Sequence, residues 1–275
     1  MKTLENRIIL ITGATDGLGK KLSLDLAARG AELVLHGRSP EKEKAAAREI
    51  RDATGNSKLA CYNADFSSLA AVRDFSENIR ADCKQVDVLI NNAGIGPGSS
   101  KVQRELSKDG HELRFAVNYL AHFLLTHRLL PLLGRSGSAR IVNVASGAQQ
   151  AIDFDNVILK RGYDGRRAYS QSKLAMVMFT FDLAEDLRES AIAVNCLHPA
   201  TLMPTNMVLD TDYFKTTVDS VGKGADAVEY LAVSPEIEGV SGKYFEGRQR
   251  AKAHAQAYDS QARQKLRTLS NQLTE

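Results

Sequence analysis

The chain has 275 residues, 43% of them hydrophobic and 25% charged, and carries a net charge of only +3. That length buries the core of one large α/β domain without requiring a second, and so small a charge on scattered basic residues argues against nucleic acid as a partner. No stretch reaches the ~18 apolar residues that span a bilayer, and the opening Met1-Lys2-Thr3-Leu4-Glu5-Asn6-Arg7 lacks the apolar region of a signal peptide. The expectation is a cytoplasmic protein with no integral membrane segment. Cys61, Cys83 and Cys196 have no metal-ligand spacing and cannot all pair, which fits a reducing compartment; two of them adjoin apolar runs and read as core.

In chain order, a β-branched run at 7–11 leads into Thr12-Gly13-Ala14-Thr15-Asp16-Gly17-Leu18-Gly19 and then a helical pattern through Ala28. Further strand-like runs fall at 31–35, 58–63, 86–90, 140–144, 192–197 and 243–245, with helical spacing between them at 41–53, 69–81, 110–133, 168–188 and 224–232. Such alternation predicts a single-domain, Rossmann-type α/β fold: a doubly wound parallel sheet with helices on both faces. Two long irregular stretches, 147–167 and 200–223, stand out as functional loops, and 248–275 reads as a C-terminal helical tail. Its basic residues from Arg248 to Arg267 read as a solvated helix face, and Glu185-Asp186 as solvated carboxylates.

Strand, glycine turn and helix in that order make a phosphate site, because glycines let the backbone approach and a helix N-terminus offers free N–H groups. The turn is not a Walker A loop: five residues separate Gly13 from Gly19, and Lys20 is followed by Lys21. Polar or glycine residues also follow the later strands, as Asn91-Asn92-Ala93-Gly94, Ala145-Ser146-Gly147 and His198-Pro199-Ala200. Tyr169 and Lys173 are four residues apart in a helical segment and so share a face. A fixed ammonium favours the phenolate, and the pair is therefore expected to lower the phenol's pKa from its usual ~10 and run acid/base chemistry. His111-Glu112-Leu113-Arg114-Phe115 lacks the second histidine of a zinc-protease motif, and His122 and His127 fall on different helix faces, so no metal site is expected.

These five motifs, in this order, resemble the short-chain dehydrogenase/reductase family over Asn6 to about Phe245, and the wording around Asn118 and Tyr169 is similar to its retinol-dehydrogenase and protochlorophyllide-reductase-like branch. The resemblance implies an oxidoreductase in which Tyr169 is the acid/base and Lys173 holds the nicotinamide ribose. It further implies that Ser146 polarises a substrate carbonyl and Asn118 supports a proton relay. On the cofactor side it implies a pyrophosphate loop of Gly13, Thr15, Gly17, Leu18 and Gly19. Asp65 would meet the adenine amino group, Asn92, Ala93 and Gly94 would wall the adenosine ribose, and Asn91 would be structural. The family usually has Pro-Gly where this chain has Pro199-Ala200; Pro199 is carried over as a cofactor contact, and either Thr201 or Thr205 is left to reach the nicotinamide.

Where NAD-preferring relatives place an acid after the second strand, this chain has His36-Gly37-Arg38-Ser39. Arg38 and Ser39 are expected to select NADP(H) by binding its 2′-phosphate. The expected substrate is a small-molecule carbonyl or alcohol, lipophilic or aromatic. A nucleotide-sugar epimerase or dehydratase is the alternative, opposed by the glycine spacing and the short stretch after Phe245. A non-catalytic NADP-binding regulator is opposed by the retained Asn118, Ser146, Tyr169 and Lys173. The 147–167 stretch, longer than the family commonly has, is expected to pack over the neighbouring helix pair and favour a monomer or dimer over a tetramer. The substrate loop at 200–223 is expected to form a lid with Met203, Met207, Leu209, Tyr213 and Phe214 turned inward.

Overall fold

Short apolar strands alternating with amphipathic helices bury both faces of a parallel sheet when the crossovers divide between its two sides. The computed structural model, which describes residues 4–275, has this arrangement. Eight strands run in the order β3-β2-β1-β4-β5-β6-β7-β8. They are β1 (Ile8–Ile11), β2 (Glu32–Gly37), β3 (Leu59–Asn63), β4 (Val88–Asn91), β5 (Ala139–Val144), β6 (Ile192–His198), β7 (Lys243–Glu246) and β8 (Gln249–Ala251). Every pairing is parallel except β7 with β8. The order reverses between β1 and β4, so the connections from these neighbours diverge and open a crevice at their carboxyl ends.

The helices are α1 (Gly17–Ala28), α2 (Pro40–Thr54), α3 (Leu69–Asp82), α4 (Leu113–Phe115), α5 (Ala121–Gly134), α6 (Gly165–Asp186), α7 (Asn206–Leu209), α8 (Val221–Val233) and α9 (Ser260–Thr274). One face of the sheet packs under α3, α5 and α6 through Val72, Phe75, Leu125, Met176 and Phe179. The other packs under α1, α2 and α8 through Leu22, Leu26, Ile50, Val228 and Leu231. Polar N-caps fix where helices begin: Asp16 for α1, Ser39 for α2, Ser68 for α3 and Ser220 for α8 each accept from a backbone N–H of the first turn.

Several expectations are corrected. The helix foreseen over 110–133 starts at Leu113, where the Glu112 side chain accepts from Phe115 N, and a π-helical turn at Ala116–Leu120 joins α4 to α5. The tail is not helical from 248, because Gln249–Ala251 closes the sheet edge before α9 begins. Nor is its basic face merely solvated. Arg263 and Arg267 pair with Asp182, Glu185 and Asp186 of α6, and Tyr119 hydrogen-bonds Ser270, so α9 lies docked across α6 and the π turn. The 147–167 stretch packs on the same side as expected, burying Ile152 and Val157 in the cluster that holds α5 and α6, with Gln171 of α6 donating to the Ala151 carbonyl. α9 adds to this cover, and Gln256 bonds both backbone groups of Ile152. Cys196 is buried and Cys83 half-buried, whereas Cys61 is exposed; all three are free thiols. Among the described residues no helix is long and apolar enough to cross a membrane. The reading of Met1–Thr3 as lacking a signal segment lies outside the described residues.

Candidate active site

The crevice floor begins at the end of β1. Gly13 takes φ +68°, which favours glycine, and a Cβ on Gly19 would stand 2.0 Å from the Gly13 carbonyl oxygen. The turn therefore closes only without side chains, and the N-terminus of α1 opens on the crevice. Leu18 is buried behind it, and the Thr15 methyl sits against Gly37 at the end of β2. From β4, Asn92 Nδ2 donates to the Thr12 and Gly13 carbonyls at 2.9 and 3.1 Å, while the backbone N–H groups of Asn92 and Ala93 both donate to Thr12 Oγ1 at 2.9 Å. Asn91 turns inward to Thr126 and Asn143, the structural part expected of it.

Beside this cradle stand the side chains from β5 and α6. Lys173 is 3% exposed and donates to the Val144 carbonyl at 2.9 Å, its ammonium lying 5.8 Å from the centre of the Tyr169 ring. Burial lowers its pKa to about 8. The Tyr169 phenol is shifted upward by burial, against the smaller opposing effect of a hydrogen bond with Ser146. Burial of the phenol thus outweighs the lowering expected from Lys173, whose ammonium is directed at the Val144 carbonyl. Ser146 Oγ accepts from Ala148 N at 3.1 Å. Asn118 is fully buried in the π turn; its Oδ1 accepts from Ile95 N at 2.8 Å and its Nδ2 donates to Ile95 O and to Ser172 Oγ. Asn118, Ser146, Tyr169 and Lys173 thus meet where β4, β5 and α6 converge, with Gly94 directly between Asn118 and Lys173.

Arg38, Ser39 and Asp65 lie apart from this group, at the ends of β2 and β3. Arg38 is exposed and has no ion pair or hydrogen bond among the described residues. The Ser39 hydroxyl is already engaged, accepting from Lys42 N and donating to Glu41. Asp65 accepts from Ser67 N and pairs with Lys108 at 3.0 Å; burial pushes its pKa up, but these bonds outweigh it and hold the carboxyl low. Past β6, Pro199 and Ala200 are buried, and the left-handed residue of the turn is Leu202, with φ +47°. Thr201 turns its hydroxyl back to His198 at 3.1 Å, whereas the Thr205 methyl faces Gly17.

The loop at 200–223 closes over the crevice. At its stem the backbone N–H groups of Asp219 and Val218 donate to the Thr201 and Leu202 carbonyls, Thr201 N donates to the Asp219 carboxylate, and Asn206 donates to the free oxygen of the cap Asp16 at 2.5 Å. Met207 rests against Gly94 and Gly96, and Tyr169 donates to its sulfur at 3.7 Å. Only part of the expected inner face is inner: Met203 and Met207 face the body, but Leu209 and Phe214 are 62% and 39% exposed. Sequence reading missed Thr12, the Asp16–Asn206 latch and His122. A polar residue ending an apolar strand and a histidine one turn beyond Asn118 were the available signals.

The crevice fits a dinucleotide: a glycine cradle with no room for side chains, a helix N-terminus, and a buried cation beside a phenol and two hydroxyl or amide groups. Fold and site together define a nicotinamide-dependent oxidoreductase. The short chain dehydrogenase family profile matches residues 7–213, and the chain belongs to that family. Human retinol dehydrogenase 13 is 37% identical over 96% of this chain and 83% of its own length; human retinol dehydrogenase 14 is 35% identical over 97% and 86%. Among solved structures, a protein from Mycobacterium paratuberculosis superposes with TM-score 0.81 at 30% identity, covering 100% of this chain and 95% of its own. A short chain dehydrogenase from Escherichia coli CFT073, complexed with NADPH, gives 0.72 at 25% identity, covering 90% and 98%.

Proposed function

We propose that this chain, acting as a single domain, is an NADP(H)-dependent reductase or dehydrogenase of lipophilic or aromatic aldehydes and ketones or the matching alcohols. The observation that carries the reading is the meeting of Tyr169, Ser146 and the buried Lys173 beside the glycine cradle. Gly13, Thr15, Gly17, Leu18 and Gly19 would hold the pyrophosphate, Asn92, Ala93 and Gly94 the adenosine ribose, Asp65 the adenine, and Pro199 with Thr205 the nicotinamide end. When bound, the cofactor supplies or accepts the hydride. Lys173 Nζ, with donors left beyond its bond to the Val144 carbonyl, would hold the nicotinamide ribose, and Ser146 Oγ would donate to the substrate oxygen as charge develops there. Tyr169 Oη gives that oxygen its proton, and its raised pKa keeps the phenol protonated at neutral pH, which suits reduction. Asn118 holds the Ile95 loop and the Ser172 turn in register.

Selection of NADP(H) is supported by the exposed Arg38 and the lack of an acid at the end of β2, and by relatives solved with NADP or NADPH. A lipophilic substrate is supported by Met203 and Met207 under the lid and by the names of the retinol dehydrogenase relatives. A monomer or dimer is supported by the docking of α9 over α6. The test is a panel of aldehydes and ketones from small polar to bulky apolar, followed at the cofactor's absorbance with NADPH and with NADH. Turnover of apolar members with NADPH is expected; equal rates across the panel, or with NADH, would refute the substrate class or the cofactor choice respectively.

A further inference from the structure

His122 is fully buried, one turn beyond Asn118, and both of its ring nitrogens are bonded: Nδ1 lies 3.3 Å from the Asn118 carbonyl oxygen and Nε2 lies 3.1 Å from Thr12 Oγ1. The proton positions follow by elimination. A carbonyl only accepts, so Nδ1 carries a hydrogen, and burial, which lowers the pKa to about 3, leaves the ring neutral with no second one. Nε2 must then accept, and the Thr12 hydroxyl, which receives the Asn92 and Ala93 N–H groups, directs its one hydrogen to Nε2 at 3.1 Å in preference to the Ile90 carbonyl at 3.3 Å. From Asn118 the path continues through its side chain to Ser172, whose hydroxyl donates to the Tyr169 carbonyl on α6.

We propose that His122 is a positioning residue for hydride transfer, registering the Asn92–Ala93 wall of the crevice against the helix that carries Tyr169 and Lys173. The proposal rests on the reading of this crevice as the hydride-transfer site. Its reason is geometric: the wall and the acid/base helix belong to different crossovers, and this histidine bridges Thr12 to the π turn that holds Asn118. Phe66 fixes the ring from the side, edge-on to His122 at 5.4 Å and stacked on His36 at 4.1 Å. His36 serves as an internal reference of opposite kind. Its Nδ1 accepts from Gly13 N, so its hydrogen sits on Nε2 and points at the Ala64 carbonyl.

The test has two arms. In nitrogen-15 histidine spectra of the whole protein at neutral pH, assigned with His122→Gln and His36→Gln, His122 should report the Nδ1–H tautomer and His36 the Nε2–H tautomer. An Nε2–H or imidazolium signal from His122 would overturn the proposal. In single-turnover reduction at saturating NADPH, His122→Leu, which keeps neither bond, should be slower by between about 10- and 100-fold with a fully expressed deuterium isotope effect on hydride transfer. His122→Gln keeps one donor and one acceptor and should recover most of the rate. A wild-type rate in the leucine variant, or equal losses in both variants, would leave only packing and refute the bridge. If the wild type reduces no carbonyl, the proposed activity fails, and the tautomer of His122 still decides this bond pattern.

Discussion

The floor of the crevice and the lid above it are held by different means. Three polar side chains of the floor are buried and tied to neighbouring segments: Thr12 to the β4 turn, Asn118 to Ile95 and Ser172, Lys173 to β5. The lid is held by its own stem and by bonds between exposed residues, Asn206 to Asp16 and Asp212 to Ser100, and it leaves Leu209, Phe214 and Val218 in solvent. Buried, mutually satisfied polar groups fix geometry, because breaking one strands its partner; exposed loop contacts can be exchanged at little cost. Chemistry is thus expected to reside in the floor and selectivity in the lid.

The sharpest contrast comes from the floor. Lys173→Ala should lower kcat/KM by roughly 10²–10³-fold, measured by steady-state kinetics, since it removes a fixed donor from the site. The wild-type profile supplies a check on the same residue. Its folded pKa of about 8 lies below the usual ~10.4 for lysine, so in the free enzyme the ammonium is present below pH 8 and lost above it. NADPH affinity, read by fluorescence titration, should therefore fall as pH rises through about 8, and Lys173→Ala should flatten that fall.

A smaller effect is expected at the outer end of the crevice, where Arg38 is exposed. A hydrogen bond to a charged group is worth about 1.5–3 kcal/mol, so Arg38→Ala should weaken NADPH by roughly 10- to 100-fold and leave NADH nearly unchanged. Equal weakening of both would reassign Arg38 to the surface. The smallest effect belongs to the lid. Leu209→Ser and Phe214→Ser should alter stability by no more than about 0.5 kcal/mol, because these side chains already meet water. Their KM for bulky apolar carbonyls should shift by a few-fold with kcat held, and a large loss of kcat would break the division between floor and lid.

How far the sequence was legible follows the same division. Strands β1 to β7 and the glycine cradle were readable because continuous apolar runs and fixed glycine spacing are local signals, and Tyr169 and Lys173 were placed on one face by the helical period alone. The direction of the Tyr169 pKa shift was not, since it depends on whether Lys173 faces the phenol or the Val144 carbonyl. The role of α9 escaped because its arginines look solvated until their partners on α6, some 80 positions away, are known. The outward turn of Leu209 and Phe214 likewise has no local signature, because a loop has no period to assign its faces.

The central claim, that Tyr169 is the proton donor of a hydride-transfer site, is tested most directly by single-turnover oxidation of NADPH with a carbonyl the wild type reduces. Tyr169→Phe deletes the hydroxyl and keeps the ring. The expected result is a rate lower by roughly 10²–10⁴-fold with NADPH affinity within a few-fold of wild type. A rate within a few-fold of wild type in the phenylalanine variant would contradict the assignment.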